Sequence, residues 1–321
     1  METPEKKSKS KTPKEPFDPF ANKPDLTANS RKLYIHNLQK LNGGEPIKDL
    51  KFLSKTQEIL AKLEEMKPNT RRTYLISIVS ALKGRPEPRF VKLYNTYYAP
   101  LDGINKSTKD NTEKTPRVKE NWMSQEDVVA KQEDLSRIIG EIVDKKKISP
   151  EQYERLLQLV VLSLYTLQPP RRNLDYINMV ISRNPAETPE LNYLDVATDQ
   201  WIFNNYKTAK KYKQTKADIP APLKDILAVY FKFHPQSKDI KKKKTDVAIP
   251  FLVHQDGTPL KTSTDMTRML YKILGKKVGV SMLRSIYLTS KYGETLKDLK
   301  EDVSAMATSV PTAENNYIKQ E

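Results

Sequence analysis

Two arginines stand side by side, Arg171 and Arg172, in the string Gln168-Pro-Pro-Arg-Arg-Asn-Leu-Asp-Tyr176. They come just after the most apolar segment of the chain. A guanidinium cannot give up its charge, so one that approaches a core needs a fixed anion. Asp175, in the same turn, is one such partner. A bound phosphate is the other, since the planar guanidinium fork meets it with two parallel hydrogen bonds. A further arginine, Arg284, falls in the apolar string Ser281-Met-Leu-Arg-Ser-Ile-Tyr-Leu288. Ser281 reads there as the cap of a helix that buries Leu283, Ile286, Tyr287 and Leu288. Taken alone, Arg284 reads as a surface or snorkelling arginine. Between these strings, Asn205–Lys216 carries five lysines, Lys207, Lys210, Lys211, Lys213 and Lys216, and no acid. Tyrosines and lysines interleaved on a β-ribbon suit a nucleic-acid groove, and they equally suit a solvated basic turn. Thr308 and Tyr317 sit in the string Ala305–Ile318, where a lone tyrosine reads as a docking aromatic.

The composition narrows the chemistry. The 321 residues hold 56 Lys and Arg against 40 Asp and Glu, a net charge of +16. A polyanion is the expected partner. There is no cysteine, so disulfide frameworks, thiolate metal sites and cysteine nucleophiles are excluded. Three histidines, at 36, 234 and 254, make no metal site expected. Nine glycines leave little material for Gly-rich nucleotide loops. No apolar run is long enough to span a membrane, and the N-terminus lacks a signal core, so an intracellular protein is expected.

The elements that must position these residues are mostly helical. Residues 1–28 are rich in Lys, Pro, Ser and Glu and read as a disordered basic tail. Residues 29–101 read as a helical domain. Leu33, Tyr34, Leu38 and Leu41 mark a first helix, Phe52, Ile59, Leu60 and Leu63 a second, and Tyr74, Leu75, Ile78, Val79 and Leu82 a third. Arg71 and Arg72 flank that third apolar face and serve either solubility or phosphate contact. Residues 102–120 are polar and turn-rich and read as a linker. Beyond it, Ser124 caps a helix, and another covers Leu135, Ile138, Ile139 and Ile142. Ser149-Pro150-Glu151 starts a helix apolar nearly all round, hence buried. Residues 192–196 and 200–206 read as strands, with 215–219 pairing back as a hairpin. Pro222–Phe231 reads as helix, Lys241–Lys244 as a charged loop, Ile249–Val253 as a short apolar stretch, and helix returns from Ser263. The expected fold is mainly α with a small antiparallel sheet.

Read together, Arg, Lys, Arg and Tyr follow in that order over about 145 residues, and the set resembles the tyrosine recombinase, or phage integrase, family. Tyr165-Thr-Leu-Gln-Pro-Pro-Arg-Arg and Ser281-Met-Leu-Arg-Ser-Ile-Tyr-Leu are similar to the branch found in large DNA viruses and virophages. The resemblance covers nearly the whole chain. It implies a core-binding, SAM-like helical domain over 29–101 and a catalytic domain over 121–321. It implies cutting and rejoining of double-stranded DNA through a 3′-phosphotyrosyl link made by Tyr317, without cofactor or metal. Arg172, chosen because Asp175 follows three positions later, and Arg284 would clamp the phosphate, with Arg171 in reserve. Lys207, with Lys210 as its alternative, would protonate the leaving oxygen. Ser281 and Thr308 stand where the family usually places histidines. Arg71, Arg72, Arg171, Lys210, Lys211 and Lys213 would contact DNA. The resemblance also implies a homotetramer on DNA, and a viral or mobile-element protein acting in the host nucleus or cytoplasm. A recombinase-like DNA-binding protein without full activity, and a type IB topoisomerase, are the alternatives.

Overall fold

The structure is a computed structural model that describes residues 17–110, 113–185, 190–242 and 248–318. The chain divides into two compact units, Met1–Glu113 and Lys114–Glu321. In the first unit, α1 (Ala28–Leu41), α2 (Thr56–Glu64), α3 (Pro68–Leu82) and α4 (Pro88–Asp110) surround one core, with a short 3-10 turn at Lys51–Ser54. Leu38, Leu53, Leu63, Leu75, Ile78 and Tyr97 are fully buried in it.

Two expectations for this unit are corrected. The expected disordered tail ends sooner: residues 1–16 lie outside the described residues, whereas 17–27 dock on the core. Phe20 is fully buried, Arg31 pairs with Asp18 at 2.6 Å, and Arg85 donates to the Pro19 carbonyl at 3.0 Å. A single deep aromatic holds a segment whose average composition is polar. The expected linker is helical over 102–110, as the end of α4. Tyr97, Leu101 and Ile104 continue the apolar spacing, and Arg72 Nε donates to Asn105 Oδ1 at 2.7 Å. The boundary between the units falls at residues 113–114, inside that polar stretch.

In the second unit, α5 (Pro116–Asn121), α6 (Gln125–Ser136) and α7 (Ile138–Ile142) lead to α8 (Pro150–Thr166). Ser124 and Ser149 cap α6 and α8, each in a reciprocal box with Asp127 and Gln152. Every residue of α8 from Leu156 to Tyr165 is buried. α9 (Asn173–Ile177) and β1 (Met179–Ser182) follow, then β2 (Asn192–Asp195), β3 (Gln200–Phe203), the helical turn α10 (Ala209–Tyr212) and β4 (Thr215–Asp218). α11 (Ala221–Phe233), α12 (Ser237–Lys241), β5 (Ile249–Pro250), α13 (Ser263–Leu274), α14 (Val280–Ala305) and α15 (Val310–Asn316) complete the unit. Lys241 thus closes a helix rather than opening a loop, and 243–247 lie outside the described residues.

The sheet order is β4-β3-β2-β1-β5. It is mixed, not antiparallel as expected: β1 runs parallel to β2, while the other three pairings are antiparallel. The strand behind this correction is β1, whose four residues follow α9 directly and carry no turn signal of their own. All four residues of β2 are buried, as befits a strand between two neighbours and under helices. Tyr176, Trp201 and Phe203 meet edge to face with centroids 5.6 and 6.0 Å apart, which ties α9 to β3. No helix of the described residues is long and apolar enough to cross a membrane.

Candidate functional site

The segment between α8 and α9 carries Arg171 and Arg172, and it is fixed from beneath by a chain of amides. Trp201 Nε1 donates to Gln168 Oε1 at 2.9 Å, and Gln168 Nε2 donates to the Tyr176 hydroxyl at 2.8 Å. Tyr165 donates to Asn173 Oδ1 at 2.7 Å, and Asn173 Nδ2 reaches the Ser263 carbonyl at 3.0 Å. Asn192 joins this segment to the hairpin. Its Nδ2 donates to the carbonyls of Asp175 and Asn205, both at 2.9 Å, and its Oδ1 accepts from the backbone N–H groups of Asn204 and Asn205. Every polar atom of that buried side chain is thereby used, which fixes the base of the hairpin against the arginine pair.

The two arginines have different surroundings. Arg171 Nε donates to Asp175 Oδ2 at 3.0 Å, its guanidinium carbon lies 3.6 Å from the Phe203 ring centroid, and Tyr206 is 5.1 Å away. Asp175 thus forms its ion pair with Arg171, four residues back, while Arg172, three residues back, acts on the carboxyl through its charge and accepts the Asp175 N–H on its carbonyl at 3.0 Å. Burial pushes the Asp175 carboxyl above the usual carboxylate range, although Arg171 beside it pulls the other way. Arg172 occupies the N-cap position of α9 with extended backbone, and its half-buried side chain has no hydrogen bond or ion pair among the described residues.

Arg171, Arg172 and Arg284 line one cleft of about 330 Å³, together with Tyr206, Tyr212 and Thr215 of the hairpin. Arg284 comes from the second turn of α14, more than one hundred residues further along the chain. It too has no ion-pair partner among the described residues. Asp175 is the one carboxylate in the lining, and Arg171 holds it. Two unpartnered guanidiniums facing one concave surface make an anion site in which a phosphate would meet two forks at once. Among the described residues no cluster of three or more His, Asp or Glu side chains is placed to hold a metal ion.

The other sequence-derived candidates lie elsewhere. Lys207, Lys210, Lys211 and Lys213 are exposed on the hairpin around α10, outside the cleft lining, and Lys210 has a partner. The hairpin tip is stiff: the Tyr206 hydroxyl donates to the Lys213 carbonyl at 2.8 Å, and Lys213 itself holds φ 58°, a region costly for a side-chain-bearing residue. Ser281 is not the cap of α14. Gly279 holds that position without a capping side chain, and Ser281 lies in the first turn, where its carbonyl accepts from Ser285 Oγ. Leu288, expected in the core, is 52% exposed, because α14 extends past the body it packs on. Thr308 is half-buried beside Ala307, which holds φ 53°, and its N–H donates to the Val303 carbonyl at 2.8 Å. Tyr317 closes α15 and is 60% exposed, and neither it nor Thr308 lines the arginine cleft. In the first unit, Arg71 lies 3.5 Å from Glu64 and Arg72 is bound to Asn105, so both are engaged locally.

Asn173, Asn192, Gln168, Tyr206 and Thr215 were not singled out from the sequence. For Gln168, Asn173, Tyr206 and Thr215 the one signal was position, within the two strings that also hold the arginines and lysines, and Asn192 had none beyond opening a strand-like segment. Comparison of the chain with protein-family models, with curated proteins and with solved structures finds no match.

Proposed function

We propose that the chain is a site-specific DNA recombinase that cuts and rejoins double-stranded DNA through a phosphotyrosyl link at Tyr317. The observation that carries this reading is the convergence of Arg171, Arg172 and Arg284 on one cleft with two guanidiniums unpaired. Arg172 and Arg284 grip the non-bridging oxygens of the scissile phosphate and offset the charge that grows in the transition state. Arg171, held by Asp175 and stacked on Phe203, fixes the floor of the cleft. Tyr317 oxygen, giving up its proton to solvent, forms a bond to phosphorus as the bond to the 5′-oxygen breaks, and the phosphodiester energy is kept in the new link, so that a second 5′-hydroxyl reverses the step. Lys207 on the hairpin supplies the proton that the departing 5′-oxygen needs. The lysines of the hairpin and the net charge of +16 favour the DNA backbone.

The test is a nicked suicide DNA substrate followed by denaturing electrophoresis. A covalent protein–DNA band is expected for the unaltered chain and none for Tyr317→Phe. A band that survives in Tyr317→Phe overturns the choice of nucleophile. One observation favours a second reading, a DNA-binding protein that has lost strand cutting: Tyr317 and Thr308 stand outside the arginine cleft. That reading predicts salt-dependent DNA binding and no covalent band with any substrate. A type IB topoisomerase would instead relax supercoiled plasmid without preference for sequence.

A further inference from the structure

A second and larger cavity, of about 550 Å³, also opens at the first turns of α14. Its chemistry differs from that of the arginine cleft. Trp122 and Tyr271, both half-buried, line it with Val280 and Met282, and Lys114 Nζ already sits over one face of the Trp122 ring at 3.5 Å. Arg117 and Lys277 add two exposed cations, and no carboxylate lines the cavity. Among the described residues no acid pairs with either cation. The hydroxyls of Ser281 and Tyr271 likewise have no hydrogen-bond partner among the described residues. Gly279, the N-cap of α14, also lines it, 3.6 Å (as a Cβ would stand) from Thr267 Cγ2, an ordinary packing distance.

The cavity is tied to the arginine cleft by shared elements. Asn173, next to Arg172, donates to the Ser263 carbonyl at 3.0 Å and to Thr267 Oγ1 at 3.2 Å, and both of those residues line the second cavity. Ser281 of the second cavity and Arg284 of the first are one helical turn apart on α14. The linings of the two sites thus come within one turn of α14 of each other.

An apolar and aromatic lining, two cations without acid partners, and hydroxyl donors within one 550 Å³ space suit a planar ring that carries an anionic group. We propose that this cavity takes one unstacked nucleotide of a DNA strand, with its base against Trp122 and Tyr271 and its phosphate at Arg117 and Lys277. The inference rests on the DNA reading given above. It adds a site for a nucleotide lifted out of the duplex beside the cut, which would make strand opening part of the work of the protein.

The experiment uses the full-length chain with Tyr317→Phe, so that binding is read without covalent capture. Trp201 is buried and Trp122 lines the cavity, so quenching of tryptophan emission reports on Trp122. A short single-stranded thymidine oligonucleotide and thymidine 5′-monophosphate are titrated in parallel, and a fluorescein-labelled duplex is followed by anisotropy. Saturable quenching is expected from both single-stranded ligands. The combined variant Arg117→Gln/Lys277→Gln, two exposed positions whose change leaves the core intact, is expected to weaken that quenching at least tenfold. Trp122→Phe is expected to abolish the signal. Absence of quenching with duplex binding retained overturns the cavity assignment and leaves the DNA reading standing. Inorganic phosphate that displaces the oligonucleotide as well as thymidine monophosphate does also overturns it, because the base would then contribute nothing. Loss of binding to every DNA form overturns both.

Discussion

Arg171 is held by Asp175, Phe203 and Tyr206, whereas the side chain of Arg172, one residue on, makes no hydrogen bond or ion pair among the described residues and meets Asp175 only through its charge. This difference predicts opposite behaviour on truncation. Arg171→Ala leaves the Asp175 carboxylate, 3% exposed, without its counter-charge and removes a cation stacked on an aromatic ring. It should cost about 3 kcal/mol of stability, read as a shift in the denaturant midpoint at constant slope. Arg172→Ala breaks no side-chain hydrogen bond or ion pair, only a charge interaction with Asp175, and should cost less than about 1 kcal/mol of stability. It should nevertheless lower the rate of covalent capture on a suicide substrate by about 10²–10³, the usual consequence of losing one donor from a preorganised anion site. Equal losses of stability in the two variants would show that Arg172 is structural as well. Here the sequence was readable only in part. An acid three or four residues after an arginine lies on the same side of a helical turn in either case. The spacing therefore named the acid and left the choice of arginine to three-dimensional packing.

At the scale of elements, α11 is joined to β5 through His234, which is 2% exposed. Its Nδ1 accepts from the Gln236 N–H at 3.1 Å, so the neutral ring carries its proton on Nε2 and donates to the Pro250 carbonyl at 3.2 Å. Burial lowers the His234 pKa from 6.5 to about 4, with the Pro250 carbonyl opposing the shift. Because the folded value lies below the unfolded one, the unfolded chain binds the extra proton between these pH values. Stability is therefore present in full above pH 6.5 and is lost as pH falls towards 4. The unaltered chain should lose about 3 kcal/mol more than His234→Gln between pH 7 and pH 4, measured by denaturant unfolding at each pH. Matching curves for the two proteins would show that the contact does not titrate. Elements such as α8 were legible because Ser149-Pro150-Glu151 and a long apolar run speak locally. β1 was not, because four residues next to a helix acquire their identity from β2 and β5 on either side. The end of α4 was hidden for a related reason: only Leu101 and Ile104 mark its inner face, and the outer face is polar.

At the scale of the whole molecule, the excess of 16 positive charges becomes informative once the charges are sorted by what they touch. Arg71 is beside Glu64, which offsets its charge, while Arg72 is held by the neutral Asn105 amide and keeps its charge but not its freedom to move. Lys207, Lys211 and Lys213 are exposed around α10, with Lys211 over the Tyr212 ring at 4.9 Å. A phosphate neutralised by a protein cation releases counterions, and each such contact adds about 0.9 to the slope of log K against log salt. The triple variant Lys207→Gln/Lys211→Gln/Lys213→Gln should therefore flatten that slope by about 2.7 if all three meet backbone phosphates. Arg71→Gln/Arg72→Gln should change it by less than about 1, since Glu64 offsets Arg71 and Arg72 is turned onto Asn105. The measurement is anisotropy of a labelled duplex from low to moderate salt. A triple variant that binds more weakly with an unaltered slope would place the hairpin away from the DNA. The +16 would then act as a general attraction, and the arginine cleft alone would set where the strand is gripped.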